Sequence, residues 1–186
     1  MDLTQYRNSP AEKARVGDLM GLLPASGERA LDIGARDGFI SMLLTGHFST
    51  VTALDLEAPV IAHERIRCVK GDITSLDFAD HSFDLVLCAE VLEHIPTHLL
   101  ATACNELARV SAYYLLIGVP YKQDIRVGRT TCNSCGEVNP PYGHVNAFDE
   151  RRLRDLFPGF AVTRQSFVGE SDARTNRLSC ALMDMA

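Results

Sequence analysis

The stretch Ala30-Leu31-Asp32-Ile33-Gly34-Ala35-Arg36-Asp37-Gly38-Phe39-Ile40-Ser41 constrains this chain more than any other. A short apolar run ends in an acid, passes a turn holding two glycines, and re-emerges as the start of a helix. Glycines in such a turn permit positive φ and let backbone approach a ligand that a Cβ would obstruct. The first N–H groups of the helix behind them lack intrahelical partners and face the same crevice. The pattern predicts strand, tight turn and helix, with a ligand cradle at the turn.

The same rhythm continues downstream. Arg29–Ile33, Val51–Asp55, Ile66–Val69, Phe83–Cys88 and Tyr113–Val119 read as strands, several of them apolar on both faces as a parallel sheet requires. A helix is expected from a Ser9 cap, with Pro10 at its first position, Glu12 three residues past the cap, and Pro24 and Gly27 stopping it. Further helices are expected at Phe39–Leu44, Thr97–Val110 and Glu150–Phe157, the last capped by Asp149, whereas Glu57–Arg65 is too short for a long one. Pro120 to Ala147 shows no periodicity, and structureless runs of that length usually carry function. Two final strand-like runs, Phe160–Val168 and Arg177–Met183, should pair antiparallel across a polar turn. The expected fold class is therefore α/β: a Rossmann-like, doubly wound, seven-stranded sheet, mostly parallel with a C-terminal antiparallel hairpin. One domain over residues 1–186 is expected, with an insertion at 120–148.

Composition narrows the function classes. The net charge of −6 argues against a large nucleic-acid footprint. Arg126, Arg129, Arg151, Arg152 and Arg154 read as a solvated face, or as a contact for an acidic acceptor. No apolar run approaches the roughly 20 residues that cross a bilayer, and the polar start lacks a signal core, so no membrane partner and a cytoplasmic location are expected. Cys68, Cys88, Cys104 and Cys180 sit in apolar or helical surroundings, and a disulfide framework is not expected. Nothing in the sequence speaks to oligomeric state.

Acids recur at strand ends. Asp55, 23 residues after Asp32, is near the spacing at which an acid reaches ribose hydroxyls, against the plainer reading of a solvated side chain. In Gly71-Asp72-Ile73 the carboxylate could accept from an exocyclic amine and Ile73 could cover a flat ring; alternatively Asp72 caps the next segment. A dinucleotide site wants Gly-x-Gly-x-x-Gly, whereas Gly34 and Gly38 stand four apart and Asp37 would meet the phosphates.

With Phe83-Asp84-Leu85-Val86-Leu87-Cys88-Ala89-Glu90-Val91-Leu92-Glu93-His94-Ile95-Pro96 added, residues 28–119 resemble the class I S-adenosylmethionine-dependent methyltransferases of small-molecule type. The resemblance implies that Asp32 holds the cofactor's ammonium while Gly34, Ala35 and Gly38 line its methionine moiety. It further implies Asp55, with Leu56 beside it, at the ribose, Asp72 and Ile73 at the adenine, and the backbone of Cys88, Ala89 and Glu90 at the methionine end. Arg36 departs from the pattern, standing where the family often has a third glycine; its side chain either turns to solvent or reaches the acceptor. The expected function is methyl transfer from S-adenosylmethionine to a small-molecule or glycan-type acceptor, at oxygen. The alternative is a non-catalytic subunit that binds the cofactor, or a protein through its cysteine loop.

On the acceptor side, His94 and His144 are candidate bases, because a histidine changes charge near neutral pH. The competing role for His94 is to hold loop backbone. Tyr142-Gly143-His144-Val145-Asn146-Ala147-Phe148 resembles the Gly-(x)-His…Phe segment that quinone-type O-methyltransferases place over the substrate. Cys132-Asn133-Ser134-Cys135-Gly136 has the spacing of half a tetrahedral zinc knuckle, with His144 as a third ligand and Asp124, Glu137 or Cys180 as a fourth, against ordinary loop thiols. His144 cannot be both zinc ligand and free base. The N-terminal helix, the loop after the fourth strand and Pro120–Phe148 are expected to enclose the acceptor.

Overall fold

A computed structural model describes residues 4–169. Two N-terminal helices, α1 (Thr4–Asn8) and α2 (Pro10–Leu22), precede the sheet, and the Ser9 hydroxyl accepts from the Glu12 N–H at the start of α2. Then follow β1 (Gly27–Ile33), α3 (Phe39–Leu44), β2 (Phe48–Asp55), β3 (Ile66–Lys70), β4 (Phe83–Ala89), α4 (Leu100–Val110) and β5 (Ser111–Gly118). Beyond them lie β6 (Thr130–Thr131), β7 (Val138–Asn139) and α5 (Glu150–Leu156), whose cap is Asp149.

The five long strands form one parallel sheet in the order β3-β2-β1-β4-β5. Period-2 alternation sends its side chains into two cores. Leu31, Ile33, Val86 and Cys88 face Ala103, Leu107 and Val110 of α4, with Phe148 and Phe157. Ala30, Val51, Ala53, Leu85 and Leu87 face Leu19 and Leu23 at the α2 end and Leu44 of α3. Strands covered on both faces must be apolar throughout, which is why β4 reads as a continuous hydrophobic run.

Two expectations about the C-terminal part change. Phe160–Val168 forms no strand: Val162, Phe167 and Val168 stay exposed, and the segment is held by side chains. Phe167 stacks on Tyr121 with centroids 4.6 Å apart, and the Ser166 hydroxyl donates to Asp18 at 2.6 Å. Without a buried face, its alternation has nothing to specify. Arg177–Met183 lies outside the described residues, so the sheet described holds the five expected parallel strands without the antiparallel pair that would make seven. The antiparallel pair that is described, β6–β7, belongs instead to the 120–148 segment. That segment is closed at its base, where Tyr121 bridges Phe148 and the Lys122 N–H donates to the Phe148 carbonyl at 2.8 Å. Among the described residues, no helix is long and apolar enough to cross a membrane.

Leu107, fully buried between α4 and the sheet, tests this layering. Leu107→Ala is expected to lower unfolding free energy by about 2–5 kcal/mol in a denaturant titration. A loss under about 1 kcal/mol would mean that α4 does not pack as described.

Candidate functional site

The chain leaves β1 toward β2 on one side, while β4 pairs with its other side, so strand direction of travel reverses between β1 and β4. In open α/β sheets that switch point opens a crevice at the carboxyl ends of the strands. The turn from Gly34 to Gly38 lies there. Its backbone is fixed by the Gly34 and Ala35 N–H groups, which both donate to the Leu54 carbonyl, at 2.8 and 3.1 Å. Gly34 has φ +74°, and a Cβ on it would stand 2.5 Å from the Val91 side chain arriving from beyond β4. Gly38, at φ +79°, is crossed in the same way by Ile61. Both glycines are required by conformation and by space.

Arg36 is the surprise in this turn. It adopts φ 51°, a region that costs a side-chain-bearing residue roughly 1–2 kcal/mol. Its N–H donates to Asp55 Oδ2 at 2.9 Å, and the side chain is exposed. The backbone therefore takes the path a glycine would take, and the guanidinium turns to solvent. Asp55 also accepts from the Leu56 N–H at 2.7 Å, so one carboxylate ties the end of β2 to the β1 turn.

Asp32 is buried at the end of β1, where the Ser41 hydroxyl of α3 donates to it at 2.5 Å. Burial pushes its carboxyl up to about 7, and the negative charge of Asp55 adds to the rise. Asp37 pairs with the guanidinium of Arg7, which also sits 4.1 Å over the Phe39 ring. These contacts lay α1 across the cradle. Neither Arg7 nor Ser41 carried a sequence signal, because both depend on tertiary approach.

The other expected cofactor residues fall at the same end of the sheet. Asp72 accepts from both the N–H and the hydroxyl of Thr74, at 2.8 and 2.7 Å, and these bonds hold its carboxyl below the ordinary value. It thus caps its own turn. Ile73 is buried in the same core cluster as Leu54 and Leu76. Cys88 is fully buried, and burial pushes its thiol well up, so this residue offers the crevice backbone alone. Glu90 takes φ 59°, with its N–H on the Gly118 carbonyl at 2.9 Å.

Beyond Val91 a 3₁₀ turn, Leu92–His94, brings three side chains together that the sequence separates. Glu93, His94 and His144 place one ligand-capable atom each within 4.8 Å of one another. The His94 and His144 rings meet edge to face with centroids 4.7 Å apart. The His144 Nδ1 lies 2.5 Å from Gln123 Oε1, and burial holds its imidazole below the ordinary value. Glu93 is wholly buried, neither carboxylate oxygen has a hydrogen-bond partner, and burial pushes the carboxyl up to about 7. Backbone fixes the group. The Val145 and Asn146 N–H groups donate to the Glu93 carbonyl, while the Asn146 amide donates to the carbonyls of Leu92 and Ile95.

Cys132 and Cys135 occupy the β6–β7 turn, closed by the Cys132 N–H on Glu137 and the Gly136 N–H on Cys132. The nearby Ser134 hydroxyl and turn N–H groups hold the half-buried Cys132 thiol down to about 6. His144 does not join them: it faces His94, and among the described residues the cysteine pair gathers no third ligand. Cys180 lies outside the described residues. A hollow of about 410 Å³ along Gly27, Phe48 and Asp84 is at the amino ends of the strands, the wrong end for a ligand in such a sheet.

A family model described as a methyltransferase domain matches residues 31–112, the span from β1 to β5 that carries the crevice. Over this span the chain is similar to the class I S-adenosylmethionine-dependent methyltransferases. The ubiquinone biosynthesis O-methyltransferase of Paracidovorax citrulli is 27% identical over 107 residues, covering 51% of this chain and 45% of that protein. The chain spans about half the length of the curated relatives it matches. The fold is shared with the N-methyltransferase NodS of Bradyrhizobium japonicum bound to S-adenosyl-L-homocysteine, at TM-score 0.62 and 22% identity, over 83% of this chain and 77% of that one. It is also shared with the 1,6-didemethyltoxoflavin-N1-methyltransferase of Burkholderia thailandensis, at TM-score 0.58 and 22% identity, over 84% and 71%.

The Gly34–Val91 contact joins the two halves of the crevice. Gly34→Ala is expected to cost about 1–3 kcal/mol from the left-handed backbone and the clash together. Gly136 has φ +75° but open space around it, so Gly136→Ala should cost only about 1 kcal/mol. Equal losses for the two variants in denaturant titrations would show that Val91 does not press on the turn.

Proposed function

We propose that this methyltransferase transfers the methyl group of S-adenosylmethionine to a hydroxyl oxygen of a small acceptor. The observation that carries the reading is the arrangement of the crevice. Asp32, Asp55 and Asp72 follow three parallel strands on one side of Val91, and Glu93, His94 and His144 gather on the other. The residues fit the cofactor: Gly34 and Gly38 leave no room for a Cβ, and the acids at the strand ends suit an ammonium, hydroxyls and an amine rather than a diphosphate. Asp32 would hold the ammonium, Asp55 the ribose hydroxyls, and Asp72 with Ile73 the adenine. The backbone from Cys88 to Glu90 and the turn at Gly34, Ala35 and Gly38 would border the methionine chain.

The cofactor supplies a methyl group already activated on a sulfonium, so the protein's task is alignment and exclusion of water. An acceptor oxygen forms its bond to carbon as the carbon–sulfur bond breaks, and the hydroxyl proton leaves. The imidazoles of His94 and His144 stand where that hydroxyl would arrive. Support for oxygen as the acceptor atom comes from them and from the O-methyltransferase names of the ubiquinone-biosynthesis relatives. Residues 121–125 and 146–149 border the same region, and Gln123 reaches His144 from there. His94→Ala and His144→Ala are each expected to lower kcat by about 10²-fold or more while leaving affinity for S-adenosylhomocysteine within about threefold. Near-normal kcat in both would contradict the acceptor-side role.

Asp32 gives a pH test. Its carboxyl titrates at about 7 in the free protein, above its ordinary 3.8. The stability it adds is full below that lower value and is lost as pH rises through about 7. An ammonium partner stabilises the carboxylate, so cofactor binding below pH 7 must expel a proton. Affinity for S-adenosylhomocysteine should weaken by up to about tenfold per pH unit below 7 and level off above it. Calorimetry in buffers of different ionisation enthalpy should register the released proton. A flat profile from about pH 5.5 to 8, with no proton released, would remove Asp32 from the ammonium site.

A further inference from the structure

The geometry points to a divalent-cation site formed by Glu93, His94 and His144, at which oxygens of the methyl acceptor complete the ion's coordination. This rests on the reading of that end of the sheet as the acceptor side.

The first observation is the unpartnered carboxylate. Glu93 has no exposed surface and neither oxygen is hydrogen-bonded, a costly state unless a proton or a cation compensates it. The carboxylate is aimed at two imidazoles, with one candidate donor atom from each residue within 4.8 Å of the others. Donors bonded at about 2.0–2.2 Å to one ion stand roughly 3–3.5 Å apart, so small side-chain rotations would close the sphere.

The second observation is the orientation of His144. Its Nδ1 meets the Gln123 carbonyl oxygen at 2.5 Å, a partner that can only accept from the ring. The proton is therefore on Nδ1, and Nε2 keeps its lone pair. An outer carbonyl or carboxylate that fixes the tautomer in this way is the usual support of a metal-bound histidine. The backbone around the group is preset as well, because Val145 and Asn146 are hydrogen-bonded to the Glu93 carbonyl and Asn146 clamps the 3₁₀ turn.

Two imidazoles and one carboxylate suit a first-row transition ion such as Zn²⁺, Mn²⁺ or Co²⁺ better than Mg²⁺ or Ca²⁺, which favour all-oxygen sites. Three protein ligands leave positions open, as in catalytic rather than structural sites. An ion there would bind two adjacent oxygens of an acceptor and lower the pKa of the hydroxyl to be methylated. The acceptor class that fits is a vicinal diol, a catechol or an ortho-hydroxy carbonyl compound. On this account the histidines act as ligands, and no separate imidazole base is required.

The test uses the full chain stripped with chelator, titrated with Zn²⁺ by calorimetry and with Co²⁺ by visible absorption. One equivalent is expected to bind, with Co²⁺ bands lacking thiolate charge transfer. Binding should weaken at least tenfold in Glu93→Gln, His94→Ala and His144→Ala, and persist in the double variant Cys132→Ser/Cys135→Ser. His94 is exposed, so His94→Ala keeps the test valid if Glu93→Gln fails to fold. Absence of uptake, uptake lost only with the cysteines, or uptake unchanged in His94→Ala would each overturn the site. Affinity for S-adenosylhomocysteine in the same proteins separates the two readings: its retention alongside failed metal uptake removes the ion and leaves methyl transfer standing.

Discussion

The position of β1 between β2 and β4 governs everything at the ligand-binding end of this molecule. Ile33 pairs with Leu54 on one side and with Cys88 on the other. The loops that leave these strands therefore part from one another, and their backbone lines a crevice instead of closing over it. Sheet pairing alone sets the distance between the cofactor turn and the segment after β4. The contact of Val91 with Gly34 then closes that distance to van der Waals range, and a Cβ at position 34 would push Val91 away.

Of the five non-glycine residues with positive φ among the described residues, three stand around this crevice: Arg36 in the cradle turn, Glu90 after β4 and Tyr142 two residues before His144. Such conformations persist where neighbours over-determine them. Asp55 does so for Arg36 and the Gly118 carbonyl for Glu90. The two cores on either face of the sheet supply the packing that offsets this conformational cost.

Most of the framework was legible in the sequence because local chemistry and tertiary packing agree there. The limits of α3 coincide with the expected Phe39–Leu44, and Ser9 and Asp149 cap the helices they precede. Agreement fails where a signal needs a partner to have meaning. Phe160–Val168 alternates like a strand but buries no face, and β6 and β7 are only two residues long, too short to show a period. The acids proposed to meet the cofactor stand out in the sequence because each falls at or just past the end of a strand. The group formed by Glu93, His94 and His144 was not legible there, because 50 residues separate the histidines and only tertiary hydrogen bonds from Val145 and Asn146 to the 3₁₀ turn bring them together. The assignment of His144 to the cysteine knuckle rested on closeness in sequence, which the fold does not preserve.

The central claim is that the cofactor enters at the carboxyl ends of the strands, in the crevice between β1 and β4. Amide hydrogen exchange with and without saturating S-adenosylhomocysteine tests it directly. The account predicts slowed exchange at Gly34 through Gly38, Leu56, Ile73 and Glu90, with no change around Gly27, Phe48 and Asp84 at the opposite end. Protection confined to that opposite hollow, or none at the glycine turn despite saturable binding, would contradict it.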